Sequence, residues 1–284
     1  MDNQLHKLNS SRYLSYCIYG NTDGEPVFYF HGFPGSYHEI KMNDGDKIAK
    51  VLNIRLIAVN RPGYGDSDSQ PKRSLLDWPD DIAELADSLG INKFSVIGCS
   101  GGGPYVIACA YKISDRIKKA GVVSGMGPVN APGVKEVASW SIVKWTGFIQ
   151  NVIFKAMKKM VESHPDKFLF NMNKALPEVD REFLKNPETF NNFIMSLKEA
   201  FRSGYKGAKQ DAKIYKNNWG FQLKDVHHQL YLWQGEQDLN VKTKTAKYVA
   251  SQLPDCVPKF YPNEGHLSLI GNNFQEILET LIKK

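Results

Sequence analysis

The strongest constraint in this sequence is an alternation. Short apolar runs rich in β-branched and aromatic residues stand at 13–19 (YLSYCIY), 26–30 (PVFYF), 55–59 (RLIAV), 94–98 (FSVIG), 119–124 (KAGVVS), 229–234 (QLYLWQ) and 258–262 (PKFYP), the composition of buried strands. Helical periodicity fills several of the gaps. Leu75, Trp78, Ile82, Leu85 and Leu89 fall on one face of 75–90, which closes on Gly90, a residue suited to ending a helix. The stretches 104–113, 243–253 and 273–284 also read as helices. Strands alternating with helices predict an α/β fold with a mostly parallel sheet covered on both faces. The turn-rich GNTDGE (20–25) between the first two runs predicts a hairpin, and with it a mixed sheet at that end.

The alternation stops between 128 and 222. SWSIVKWTGFIQNVIFKAMKKMVE and the stretch from Asp180 to Asn218 are helical in pattern, with no clear strand. So long a segment is no loop in a compact domain. The expected organisation is therefore an α/β core at 1–127 and 223–284 with an inserted helical cap at 128–222.

One corner of the sequence concentrates unusual backbone requirements. GCSGGG (98–103) joins the strand-like FSVIG to the helical PYVIACAYK. Gly98-Cys99-Ser100-Gly101-Gly102 fits G-x-S-x-G, the pattern of a sharp strand-to-helix turn that lifts a serine hydroxyl above the sheet. The alternative, a phosphate-cradling turn, lacks both G-x-G-x-x-G and G-x-x-x-x-G-K-[ST] at this place. A serine hydroxyl needs a base to take its proton. His266, behind Gly265 and just past the last predicted strand, is the candidate, because catalytic groups gather beyond the C-terminal ends of open α/β sheets. An acid must orient that base. GEQDLNV (235–241) supplies Asp238, with Glu236 as the fallback. The negative charge that develops on the attacked carbonyl needs two N–H donors. Gly101 and Phe33, the latter in HGFPGS (31–36), are the expected pair. His31 reads as a packed structural residue and Cys99 as a buried, inert thiol.

Composition narrows the function classes. The chain has 284 residues, 42% hydrophobic and 23% charged, with a formal net charge of +6 spread along it. Neither a nucleic-acid motif nor a basic stripe is present, so no nucleic-acid partner is expected. The four cysteines form no C-x-x-C pair or Cys/His cluster, so neither a metal nor a cofactor is expected. No secretory signal or 18-residue apolar run is evident. These features predict a soluble cytoplasmic protein, monomer or homodimer, with a small-molecule substrate and no membrane span.

HGFPGS (31–36), NRPGYGDSD (60–68), GCSGGG (98–103), GEQDLNV (235–241) and EGHLSL (264–269) together make the chain resemble the α/β-hydrolase superfamily, in its serine-nucleophile, esterase-like branch. The resemblance runs from about residue 14 to the C-terminus. It implies the α/β-hydrolase fold, an eight-stranded mostly parallel sheet with an all-helical cap after the sixth strand. It also implies Ser100, Asp238 and His266 as a catalytic triad with Phe33 and Gly101 at the oxyanion hole. Asn60 stands where many relatives carry Asp, and is expected to alter loop hydrogen bonding.

The expected activity is cleavage of a small, largely apolar carboxylic ester through an acyl-Ser100 intermediate. Cap residues Trp140, Trp145, Phe148, Phe154, Met157, Met160, Phe168 and Met172 are available for an apolar pocket. An aminopeptidase or amidase, or a carbon–carbon bond hydrolase, runs on the same triad. The aminopeptidase type wants acids in the cap, where Glu162, Asp166, Glu178 and Asp180 occur. A ligand sensor without turnover is the alternative from another class.

Overall fold

The computed structural model describes residues 3–283. Eight strands form one sheet: β1 (Gln4–Lys7), β2 (Tyr13–Gly20), β3 (Glu25–Phe30), β4 (Ile54–Val59), β5 (Phe94–Cys99), β6 (Ile117–Val123), β7 (Leu230–Gly235) and β8 (Cys256–Tyr261). Their spatial order is β1-β2-β4-β3-β5-β6-β7-β8. β3 to β8 run parallel, while β2 is antiparallel to both β1 and β4. The α/β-hydrolase fold expected from the resemblance is the fold found.

Strand side chains alternate between two cores, which is why the strands read as unbroken apolar runs. Phe28, Phe30, Phe94, Val96 and Leu232 pack on one face beneath α2 (Trp78–Ser88), α3 (Gly103–Lys112) and α10 (Thr243–Gln252). Val27, Tyr29, Ile97 and Trp233 pack on the other, beneath α1 (Gly45–Val51) and α11 (Leu267–Ile282).

Two sequence expectations need correction, and one strand was not expected. The runs at 13–19 and 26–30 do not form a hairpin: β4 lies between them. The connecting turn donates Asn21 N–H to Ile54 O at 2.9 Å and Glu25 N–H to Asn53 O at 2.8 Å, so the entry of β4 is stitched into the turn itself. The N-terminal β1, polar and mostly exposed, was invisible to a search for apolar runs. Finally, the C-terminal helix starts at Leu267 rather than 273. Its expected end at 284, and the core boundary at residue 1, lie outside the described residues.

Between β6 and β7 the chain is helical: α4 (Trp140–Val143), α5 (Gly147–Ser163), α6 (Pro165–Asn173), α7 (Glu178–Phe183), α8 (Pro187–Ala200) and α9 (Lys206–Tyr215). α8 bonds to the loop after β3 through Ser196 and Ser36, α9 to the turn after β5 through Tyr215 and Gly101, and α7 to the loop after β8 through Asp180 and His266. No helix among the described residues is long and apolar enough to cross a membrane.

Candidate active site

Ser100 sits where β5 turns into α3, with φ of +52°, a left-handed conformation that is rare and strained for a residue with a side chain. The turn is tight enough to exclude Cβ atoms around it. One added to Gly98 would lie 2.5 Å from Gly102 O, and one on Gly102 would lie 2.1 Å from Phe30 O. Neighbouring Cys99 is buried, and burial, then the nearby carboxylates Glu39, Asp238 and Asp180, push its thiol well up. It stays protonated.

Of the two acids after β7, Asp238 is buried and reaches His266, while Glu236 is exposed. Asp238 Oδ2 lies 2.7 Å from His266 Nδ1. The carboxyl also accepts from Asn240 N at 2.7 Å, Val241 N at 2.8 Å and Gln234 Nε2 at 3.2 Å, which fixes its orientation. An acceptor at Nδ1 places the neutral ring's proton there and leaves Nε2 as the base. Burial alone would lower the imidazole pKa. The Asp238 carboxylate, then Asp180 and Glu39, outweigh burial and hold it above the usual 6.5. Ser100 and His266 line the same cavity. No hydrogen bond joins them, so bonding between hydroxyl and ring awaits a change of side-chain position.

The loop after β3 is clamped from both sides. Arg61, fully buried, gives Nη2–H to Gly32 O at 2.8 Å and Nη1–H to His31 O. On the opposite side the Glu39 carboxylate accepts from Gly32 N at 2.8 and 3.0 Å. With these groups engaged, no described residue accepts from the N–H of Phe33. A Cβ on Gly101 would meet Phe33 N at 3.2 Å, so the two expected donors are neighbours. His31 is buried, its Nδ1 2.9 Å from Gly32 O, and its Nε2 accepts from Arg61 N at 3.2 Å. Burial, then Arg61, lower its pKa well below 6.5, so it is a neutral packing residue. Asn60 accepts from Tyr37 N at 2.9 Å and donates to Ser15 Oγ at 3.1 Å, a loop-bonding role.

Two buried carboxylates from the inserted helices hold these loops. Asp211 of α9 receives Arg61 Nε at 2.8 Å, Arg73 Nη2, Tyr64 OH at 2.9 Å and Tyr105 OH at 2.6 Å. Burial would raise its pKa, but the two guanidiniums hold it at about 2. Tyr215, also of α9, donates to Gly101 O at 2.9 Å. Asp180 of α7 accepts from the N–H groups of His266, Leu267 and Ser268, each at 2.9 Å. A Cβ at Gly265 would come within 2.4 Å of that carboxyl. Asp180 therefore caps α11 from another part of the chain and fixes the backbone of His266.

The cavity measures about 540 Å³ and opens onto Ser100 and His266. Met157, Met160, Phe168 and Met172 line it, as the sequence allowed. Phe154 is buried and packs on the core, Trp140 packs partly against it, and Trp145 and Phe148 are exposed. None of Glu162, Asp166, Glu178 and Asp180 lines the cavity; the acid that does is Glu39. Sequence reasoning missed Glu39 because nothing local marks a lone acid seven residues beyond Gly32. Arg61 stands within NRPGYGDSD, but no local pattern pairs it with Asp211, 150 residues onward.

The comparisons with known proteins agree with this architecture. A family model described as alpha/beta hydrolase fold matches residues 25–272. The 2-hydroxy-6-oxo-6-phenylhexa-2,4-dienoate hydrolase of Burkholderia cepacia is 22% identical over 253 residues, 86% of this chain and 82% of that protein. Ethanol acetyltransferase 1 of Eremothecium cymbalariae is 26% identical over 110 residues, 39% of this chain; the match spans only 30% of that protein. The esterase RhEst1 of Rhodococcus sp. ECU1013 shares the fold with a TM-score of 0.71 at 18% identity, over 100% of this chain and 99% of that one. With the family model matching most of its length, the chain belongs to the alpha/beta hydrolase fold family.

Proposed function

We propose that the protein is a serine hydrolase cleaving a small, largely apolar carboxylic ester through an acyl-Ser100 intermediate, with residues 128–222 acting as the cap over its site. One observation carries the reading. A serine in a left-handed turn and a histidine hydrogen-bonded to a buried aspartate open onto one apolar cavity, the arrangement that nucleophilic catalysis requires.

The chemistry follows from the groups present. His266 Nε2 takes the Ser100 proton as Oγ bonds to the ester carbonyl carbon. The resulting oxyanion accepts from the N–H groups of Phe33 and Gly101, each such donor being worth roughly 3–4 kcal/mol in the transition state. Collapse breaks the bond to the alkoxy group, which leaves as the alcohol with the proton from His266. Water then attacks the acyl carbon while His266 takes its proton, and Ser100 leaves with that proton as the acid is released. Asp238 holds Nδ1–H throughout and balances the imidazolium charge.

Five of the chain's seven methionines, Met42, Met126, Met157, Met160 and Met172, line the cavity. Their flexible side chains suit an adaptable apolar surface. The Burkholderia relative acts on a dienoate, by its name a carboxylate. Among the described residues no Lys or Arg lines this cavity, which favours an ester without an anionic group over a dienoate. The test is steady-state turnover of p-nitrophenyl butyrate by wild type and Ser100→Ala, with fluorophosphonate labelling alongside. The variant is expected to lose at least roughly a thousandfold in kcat and all labelling. Equal rates would overturn the reading, and tight ligand binding without turnover would point to a sensor.

A further inference from the structure

We propose that Glu39 is the specificity-determining residue of this cavity: it selects esters carrying a cationic hydrogen-bond donor within a few bonds of the scissile carbon and rejects those carrying an anion there. The inference rests on the hydrolase reading of Ser100 and deepens it by naming the substrate class.

The position of Glu39 comes first. It lies in the 3-10 turn Tyr37–Asn43 that follows the clamped loop, and it lines the cavity together with Ser100 and His266. A Cβ built on Gly32 would stand 3.1 Å from Glu39 Oε1 and 3.6 Å from Ser100 Cβ. One methyl-sized gap therefore separates the carboxyl from the serine. A group near the scissile carbonyl is within its reach.

Its bonding leaves the carboxylate without a directly paired cation. Among the described residues its hydrogen-bond donors are neutral: Gly32 N–H, shared between both oxygens, and Tyr29 O–H at 2.8 Å. A carboxylate has about four lone-pair directions, so acceptor capacity remains. No Lys, Arg or His among the described residues stands within ion-pair distance of it. No lysine or arginine among the described residues lines the cavity. An enclosed carboxylate without a directly paired cation is unfavourable, and burial pushes this one up to about 7, its two donors and the more distant Arg61 and His266 offsetting burial only in part. A substrate ammonium would supply the missing counter-charge through a charge-assisted hydrogen bond. A substrate carboxylate would meet like charge in a low-dielectric space.

Glu39 also holds Gly32, so the test must separate recognition from loop placement. Ratios taken within one enzyme do this, because a displaced loop slows every ester alike. The measurement is kcat/KM near neutral pH for wild type and Glu39→Gln on two matched sets. One set is methyl 3-phenylpropanoate, its 2-amino derivative and its 2-carboxylate derivative. The other is 2-(dimethylamino)ethyl butyrate, protonated near neutral pH, and its uncharged isostere 3-methylbutyl butyrate. Wild type is expected to favour the cationic member by about tenfold or more in at least one set and to disfavour the carboxylate. In Glu39→Gln the ratios should approach unity. No cation preference in wild type, or a preference that survives the substitution, overturns the proposal. If the variant does not fold, inhibition of wild type by hexylammonium, hexanol and hexanoate decides. Hexylammonium should bind most tightly and hexanoate least, and equal inhibition overturns the proposal. Neutral p-nitrophenyl butyrate separates the two claims. If it is not cleaved, the hydrolase reading fails; if it is cleaved without cation selectivity, only the role of Glu39 fails.

Discussion

At the scale of single residues, two aspects of the site were legible and one was not. Ser100 announced itself because its strained turn excludes Cβ atoms at Gly98 and Gly102, a local requirement that writes glycine into the sequence. Asp238 and His266 were found because each follows a strand-like run, where the sheet's C-terminal edge collects chemistry. Glu39 carries no such mark, since its proposed role is set by Gly32, by Tyr29 and by a cavity that no described lysine or arginine lines. The Asp238–His266 pair makes a sharp prediction. Asp238→Ala should lower kcat by roughly 10³–10⁴-fold with KM little changed, whereas Glu236→Gln, altering an exposed side chain, should stay within about twofold of wild type. In the proposed mechanism the neutral imidazole is the base, and its pKa is held above 6.5. The kcat/KM profile should therefore fall as pH drops through a value above 6.5.

At the scale of elements, the interior strands and α2 followed from apolar periodicity, whereas long-range contacts decided the misread ones. The turn after β2 has a hairpin's composition, yet it hydrogen-bonds to the start of β4, a segment thirty residues onward in the chain. The start of α11 contains Gly271, Asn272 and Asn273, poor helix formers. Three backbone N–H groups preceding them are satisfied by Asp180 from α7, so the helix begins where its cap is, not where its propensity rises. The same carboxylate fixes His266 and helps raise its pKa. Asp180→Asn keeps an acceptor but removes the charge. It should lower kcat by about tenfold, leave KM near wild type, and move the acidic limb of the pH profile to lower pH. A loss of folded protein with an unmoved limb would reduce Asp180 to a structural cap.

At the scale of the whole molecule, the α/β class was legible because alternation is written along the chain, while the tie between the inserted helices and the core was not. That tie is ionic and buried. Asp211 pairs with both Arg61 and Arg73, and Arg61 in turn holds the carbonyls of the loop that carries Phe33. Removing one member of such a cluster leaves buried charge unpaired and costs about 3–5 kcal/mol. Asp211→Asn should lower the melting temperature by on the order of 10 °C, read by calorimetry. The folded pKa of Asp211, about 2, lies below its ordinary 3.8. Its contribution to stability is thus present above pH 3.8 and lost as pH falls toward 2. Wild type and variant should converge in stability across that window, and a constant gap would contradict the ionic account.

The most direct test of the central claim is to catch the covalent intermediate. Wild-type protein quenched in acid during turnover of p-nitrophenyl butyrate should carry one butyryl group on the peptide containing Ser100, seen by mass spectrometry after digestion. The same quench of Ser100→Ala should yield no adduct. An adduct on another residue, or undiminished turnover by Ser100→Ala, would contradict the account.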